Sequence, residues 1–377
     1  MNNTKKPRAT GGSTRTSKAV PSDTAPLHIA VVGGGMAGVV CARTLVQAGH
    51  RVTLFEKARE VGGRMATQRT EYGGFDHGAQ YFTVRDPRFD TALRSNATAV
   101  VRPWSASTVR VLDAVGHVLA SAPPPTEPHF VASPGMGALV DLWAQPLQHP
   151  ELHGHLLART LLDTHVTRIE RDALHANQWQ LRAEDTQGGQ QVLGGFDRVV
   201  LALPHPQVHD LLLGSGLAPE LRKALTPVHV APCWTLMVAF PLAMQPGLPH
   251  LGPQWNAARS THHRISWVAR ESSKPGRTPI ERWTVQASPA WSTKHLEDDH
   301  ERAKAKLLKG FAEITGIRAT PSHAVAHRWR FAQTQTPLGQ SHLFDKALGI
   351  GACGDWCLGH RVEDAFVSGL ELALAMA

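Results

Sequence analysis

The stretch "HIAVVGGGMAGVVCARTLVQAGHRVTLFEK", His28 to Lys57, constrains the fold more than any other. Ile29, Ala30, Val31 and Val32 form a continuous apolar run, the pattern of a parallel strand buried on both faces. Gly33, Gly35 and Gly38 then satisfy G-x-G-x-x-G. From Met36 to Ala48 the pattern turns helical, with Val39, Val40, Leu45 and Val46 apolar, and Gly49 supplies the stop. A second strand over Arg51 to Lys57 carries Glu56 near its end. Each glycine has a physical task in such a unit. Gly33 permits the tight turn, Gly35 has no Cβ to block a pyrophosphate, and Gly38 lets helix and strand pack closely. The helix N-terminus, with Ala37 in its first turn, offers free N–H groups and the positive end of its dipole. Glu56, 18 residues after Gly38, can accept hydrogen bonds from ribose hydroxyls. The unit predicts a nucleotide-binding α/β domain.

A second glycine pair follows at once. In "VGGRMAT", Gly62 and Gly63 allow another backbone loop to approach the same ligand, and Arg64 can reach a phosphate. A domain for NAD alone has no need of this loop. The arrangement resembles FAD proteins of the glutathione-reductase-like superfamily, where Gly-Gly-Arg follows the ribose-binding acid. A flavin is long, and the far end of the chain matches its other end. Leu348 to Ala352 read as a short buried strand, with Gly354 and Asp355 at its C-terminal end, the ligand side of such a sheet. "VEDAFVSGLELALA" predicts a closing helix from about Arg361. On this reading Asp355 bonds the ribityl or phosphate region. The helix start at Val362 faces the flavin edge that gains negative charge on reduction.

The segments "VVGGGMAG", "EKAREVGGRMAT", "DHGAQYFT", "HFVASPGMGALV", "FDRVVLALPHPQV", "HRWRFAQ" and "GACGDW" span nearly everything from Leu27 onward. In this order they resemble the amine-oxidase-like flavoprotein superfamily and, more closely, the renalase family and its bacterial relatives. The resemblance implies a Rossmann-type FAD-binding domain of glutathione-reductase-like type, interleaved with a mixed-sheet α+β substrate domain. The FAD domain would comprise 27–84, 151–210 and 322–377, and the substrate domain 85–150 and 211–321. Carried over residue by residue, the cofactor contacts are Gly33, Gly35, Ala37, Gly38, Glu56, Lys57, Gly63, Arg64, Ala79, Gln80, Asp355 and Val362. Two strands in "HVTRIERDALHANQWQLRAED" and a third, the buried strand "FDRVVLALP" (Phe196 to Pro204), match a βββ layout whose first strand meets adenine through its backbone, with Val166 as the contact.

Renalase-like enzymes oxidise the 2- and 6-dihydro isomers of NAD(P) and pass the electrons to O2. Loss of hydride restores aromaticity, so the pocket needs alignment rather than a base. No acid–base pair is evident, which fits. Gln80 and Tyr81 are the expected contacts to the reacting ring. Trp234, Trp267, Trp283, Trp291 and Trp329 are available as walls, each also an ordinary core residue. The rival enzyme is an amine oxidase, which often places a Lys on a substrate-domain strand. The corresponding strand here, "VHVAPCWTLMVAF" (Val228 to Phe240), has none. The departure "WCLGHRVEDAFVSG" after Asp355 lies closer to the wider oxidase group and leaves the substrate open. A carotenoid-desaturase-like dehydrogenase and a non-catalytic flavin-binding protein are further alternatives.

Composition removes other classes. No run of about 18 apolar residues is present, so no membrane span is expected. Residues 1–26 lack an apolar core segment and read as a disordered tail. Lys5, Lys6, Arg8, Arg15 and Lys18 against Asp23 place half of the net charge of +8 there. A basic balance concentrated in a loose tail gives no nucleic-acid surface. Four scattered cysteines suit a reducing cytoplasm. Cys353 and Cys357 could form a redox pair, but small apolar packing is the simpler role. His153 with His155, and His262 with His263, lack a completing ligand set, so no metal is expected. "APPPTEP" (Ala122 to Pro128) reads as a stiff connection. FAD is expected to be noncovalent, with Cys357 the nearby residue to check.

Overall fold

The first glycine turn sits at the centre of a six-stranded sheet. Its strands run in the order Leu343–Asp345, Ile350–Ala352, Arg198–Leu201, His28–Val32, Arg51–Phe55 and Ala158–Leu161. All neighbours are parallel except the outer pair Leu343–Asp345 and Ile350–Ala352. The His28–Val32 strand is flanked on both edges and covered on both faces, so Ile29 to Val32 are buried, as their apolar run requires. The computed structural model describes residues 25–104, 109–119, 127–154, 157–244 and 255–377. The basic tail before residue 25, His155 and the Ala122–Thr126 part of the proline-rich stretch lie outside these.

Two helices lock the sheet on one side. Met36–Gln47 follows the glycine turn, and Val362–Met376 closes the chain beside it. They meet so closely that a Cβ on Gly369 would lie 2.2 Å from the Ala37 carbonyl oxygen. Arg361 caps the closing helix, its backbone N–H donating to Asp364 at 2.9 Å, where the sequence placed the start. A three-stranded antiparallel meander, in the order Gln190–Phe196, Trp179–Glu184, His165–Arg171, contains the first two of the three expected strands, but its third is Gln190–Phe196. The strand expected there, within Phe196 to Pro204, is Arg198–Leu201 and pairs in parallel with His28–Val32, because its run of buried apolar residues suits a sheet covered on both faces.

The second large sheet has the order His323–Thr336, His229–Phe240, Glu281–Ala287, Ile265–Arg270, Ala257–Ser260 and Val109–Leu112. One face buries Trp234, Leu236, Val238, Val268, Trp283 and Val285 against the helix His300–Thr315 through Leu307, Phe311 and Ile314. The other face, with Ala257, Trp267 and Ala269, joins the core that contains the first helix.

Three further details depart from the sequence reading. The strand expected from Leu348 begins at Ile350, because Gly349 has φ +69° and Leu348 closes a turn onto Asp345. The strand His323–Thr336, placed with the cofactor segment from 322, is paired along the second sheet with His229–Phe240. Among the described residues of 85–150 only Val109–Leu112 joins the second sheet, while the helices Pro87–Asn96 and Gly137–Gln148 pack through Phe89, Leu139, Val140 and Trp143 into the core of the first helix. Among the described residues, no helix is long and apolar enough to cross a membrane.

Candidate functional site at the strand ends

The glycine turn leaves the Cβ positions open on one side only. Gly33 has φ +108°, and a Cβ there would sit 2.4 Å from the Ala202 carbonyl oxygen. A Cβ on Gly38 would lie 1.8 Å from the Gly33 oxygen. On Gly35 it would meet nothing within 4 Å. Gly35 therefore faces the free space beyond the sheet, as the close approach of a phosphate needs. The second loop packs onto the first. Gly62 N–H donates to the Gly34 oxygen at 2.9 Å, and a Cβ on Gly63, at φ +53°, would approach the Gly35 Cα to 3.3 Å. Glu56 is buried at the end of its strand. Its carboxylate accepts from Gly34 N at 2.7 Å and Ala58 N at 2.8 Å. Each oxygen keeps a lone pair for a further donor. Lys57 is exposed. Val166 is buried at the start of the meander, close to the Thr164 N–H that donates to the Glu56 backbone carbonyl oxygen at 2.9 Å. Val362 is half-buried against the core of the first helix. The cradle, the acid and the second loop fit a dinucleotide cofactor on the carboxyl side of parallel strands.

Arg64 and Asp355 were each expected on the ligand. Here they pair with one another in a two-pronged contact, Arg64 Nη1 to Asp355 Oδ2 at 3.0 Å. The pair ties the second glycine loop to the far end of the chain. Gly78 to Tyr81 run along that loop. Ala79 N–H donates to the Arg64 oxygen at 2.9 Å, and a Cβ on Gly78 would lie 2.0 Å from that oxygen. Glu363 turns away, accepting from the Arg85 and Asp86 amides.

Opposite His77–Tyr81 stands one face of the second sheet. Strand register brings Arg259, Trp267, Gln286, Thr235 and His327 into a single row across five strands. Directly paired residues project to the same face, so this row forms a wall. Gln286 Nε2 donates to the Gly78 oxygen at 2.6 Å, and Trp329 Nε1 donates to the His77 oxygen at 2.9 Å. Tyr81 stacks on His129 at 4.0 Å between ring centres, with Trp267 at 5.6 Å and Trp104 at 6.4 Å. Of the five tryptophans weighed from the sequence, Trp267 and Trp329 belong to this face, while Trp234, Trp283 and Trp291 lie in the cluster behind the sheet.

A buried ion cluster, missed in the sequence, backs the same segment. Lys274 Nζ reaches Asp76 Oδ2 at 3.0 Å, Glu271 Oε1 at 3.0 Å and Gln80 Oε1 at 3.3 Å. Arg277 adds a 2.7 Å contact to Asp76. Burial alone would raise the Asp76 carboxyl, yet Lys274 and Arg277 hold it well below the usual range. Burial pushes Glu271 up against the pull of Lys274. Gln80 is buried and donates back to the Asp76 and Gly78 oxygens, so it is fixed from both ends. The local clue was "ESSKPGR" (Glu271 to Arg277), a charged loop between two apolar strands.

The imidazoles near the wall are poor proton carriers at neutral pH. Burial first, then His77 and His300, pushes His327 down to about 4. Burial also lowers His77. The cysteines are free. Cys353 is raised by its bond to Cys41 and by burial, and Cys357 by burial, so neither is a ready thiolate. Among the described residues, no group of three or more His, Cys, Asp or Glu is arranged around a metal position.

The glycine cradle and the parallel sheet behind it define a Rossmann-type dinucleotide-binding fold, and the comparisons agree. An NAD(P)-binding Rossmann-like domain matches residues 31–94, and the flavin containing amine oxidoreductase family matches residues 110–377, well over half of the chain. The chain belongs to the flavin containing amine oxidoreductase family, and its cofactor is FAD. It is 54% identical over 50 residues to an L-amino-acid oxidase of Bungarus fasciatus, covering 13% of this chain and 10% of that protein. A 4,4'-diapophytoene desaturase (4,4'-diaponeurosporene-forming) of Staphylococcus haemolyticus is 43% identical over 60 residues, 16% of this chain and 12% of that one. The chain thus spans about a tenth of the length of these curated relatives. A crystal structure from Exiguobacterium sp. 255-15, provisionally named a protoporphyrinogen oxidase, superposes with a TM-score of 0.69 at 15% identity. It covers 93% of this chain and 99% of its own, which is a likeness of fold.

Proposed function

We propose that this protein is a renalase-like oxidase with a glutathione-reductase-like FAD domain, acting on 2- or 6-dihydro isomers of NAD(P) in the cytoplasm. The observation that carries the reading is the wall facing His77–Tyr81. It offers planar and amide groups, while its histidine is held near 4 and the adjacent lysine is locked between two carboxylates. Such a surface would align a ring without taking a proton from it, which is what a dihydropyridine donor needs. Bound noncovalently, FAD supplies a two-electron acceptor for the hydride, and O2 with a proton then carries the pair off as H2O2.

The chain's residues divide the binding task. Gly33, Gly35, Ala37 and Gly38 would cradle the pyrophosphate. Glu56 would take the ribose and the Val166 backbone the adenine, with Lys57 at the rim. Gly63 and Arg64, bridged to Asp355, would close over the phosphates. Ala79, Gln80 and Val362 would border the ring system, and Gln80 and Tyr81 would meet the substrate. Trp267 and Trp329 provide flat surfaces and Gln286 holds the Gly78 carbonyl in place. Membership of the amine oxidoreductase family supports the alternative, oxidation of an amine. Incubation in air tests the choice. A dihydro isomer should yield NAD(P)+ and H2O2 one to one. Ammonia release from amines or amino acids, with no dinucleotide turnover, would favour the alternative.

A further inference from the structure

Arg259 lies at the end of the wall, on the strand Ala257–Ser260, and is exposed. Its Nη2 donates to the Tyr81 hydroxyl oxygen at 3.5 Å. That leaves the Tyr81 proton and the other guanidinium N–H groups free to donate elsewhere. Among the described residues no carboxylate pairs with Arg259. Glu127, the acid that bears on neighbouring His129, is itself gripped by Arg85. Two further polar groups beside Tyr81, Trp267 Nε1 and His129 Nδ1, are buried without partners among the described residues. Trp267 is only 8% exposed, so its N–H is a buried donor with an acceptor still to be met, and a bound anion would meet it. Burial, and then Arg259 itself, lower the His129 pKa.

We infer that Arg259, the Tyr81 hydroxyl and the Trp267 indole N–H form an anion-binding edge that takes a phosphate group of the substrate while its ring lies along the wall. The inference rests on the reading that the substrate is a dihydronicotinamide nucleotide, and it adds the residue that separates phosphorylated donors from unphosphorylated ones. The edge consists of donors and a fixed positive charge, with the aromatic rings of Tyr81, His129 and Trp267 beside it. A phosphate is the group of a nucleotide that answers all of these at once.

The test uses the FAD-loaded enzyme and the variants Arg259→Gln, Arg259→Lys and Tyr81→Phe, with flavin content as the check on folding. Inorganic pyrophosphate is titrated while tryptophan fluorescence and the flavin spectrum are followed. The wild type should bind it, Arg259→Gln should bind about 10- to 100-fold more weakly, and Arg259→Lys should fall between. In turnover, the wild type should prefer dihydronicotinamide mononucleotide to the riboside in kcat/KM. Arg259→Gln should abolish that preference, through loss of kcat/KM for the mononucleotide. Equal pyrophosphate affinity in wild type and Arg259→Gln, or an unchanged preference, overturns the anion edge. Pyrophosphate binding that depends on Arg259, with no reaction of any dihydronicotinamide, upholds the edge and rejects the substrate reading instead.

Discussion

Replacing Lys274 by methionine isolates the buried ion cluster. The side chain is fully buried, and its ammonium is the link between Asp76, Glu271 and Gln80. Asp76 survives the change, because Arg277 at 2.7 Å, Met136 N at 2.8 Å and Thr67 Oγ1 at 2.8 Å still donate to it. Glu271 does not. It keeps Thr284 Oγ1 at 2.7 Å, but its nearest cation is gone and its Oε2 already lacks a partner. Removing one member of a buried pair costs about 3–5 kcal/mol. Glu271 can limit the loss by taking a proton, at about 1.4 kcal/mol for each pH unit above its ordinary value of 4.5. At pH 7.5 that ceiling is about 4 kcal/mol, and at pH 5.5 about 1.4 kcal/mol. The folded Glu271 pKa in the variant lies above the unfolded one. Stability is therefore full at low pH and lost as pH rises through the folded value. Urea unfolding of Lys274→Met against wild type should show a deficit that widens between pH 5.5 and 7.5. Adding Glu271→Gln should recover most of it. A deficit under about 1 kcal/mol that is flat with pH would refute the assignment of Lys274 as the counter-ion of Glu271.

Three further outcomes follow from the site. Glu56→Gln leaves one acceptor oxygen and sets an amide against a backbone N–H, so FAD affinity measured by fluorescence titration should fall about 10- to 150-fold, while exposed Lys57→Ala stays near wild type. Gly38→Ala places a Cβ within 1.8 Å of the Gly33 oxygen, so the variant should be purified without yellow colour, and a normal flavin content would count against the packing role. Burial lowers His205 and His327, each to about 4. Unfolded histidines take up protons below their usual 6.5 while these stay neutral, so thermal stability should drop as pH falls from about 6.5 to 4. The slope should flatten in His327→Gln.

What the sequence revealed was what local backbone geometry demands. Gly33 and Gly38 are legible because no other residue fits their φ or their spacing, and the closing helix because its apolar pattern and its start at Arg361 lie together. The wall opposite Tyr81 was not legible. Its row depends on register across antiparallel strands, and irregularities between Ile265 and Trp267 and between Ala231 and Cys233 shift that register without any local signature. The same register decides that Trp267 and Trp329 face the site while Trp234 and Trp283 face the helix behind. The Arg64–Asp355 and Lys274–Asp76 pairs join residues 291 and 198 positions apart, and no periodicity encodes such partners. Lys274 also qualifies the missing-lysine clue. The His229–Phe240 strand carries none, yet a lysine reaches Gln80 from the loop between two other strands.

The account stands most directly on which donor reduces the flavin. The measurement is stopped-flow mixing without oxygen, following the flavin absorbance, with 2-dihydro- and 6-dihydro-NAD(P), ordinary 4-dihydro-NADH, benzylamine, polyamines and L-amino acids as separate donors. A wall that aligns a ring without a base should give rapid bleaching by a 2- or 6-dihydro isomer. The 4-dihydro isomer should react on the order of 100-fold more slowly, the penalty of about 1 Å of misplacement. Admission of air should then restore the colour with release of peroxide. Rapid bleaching by an amine or amino acid, with none by any dihydronicotinamide, would contradict the account.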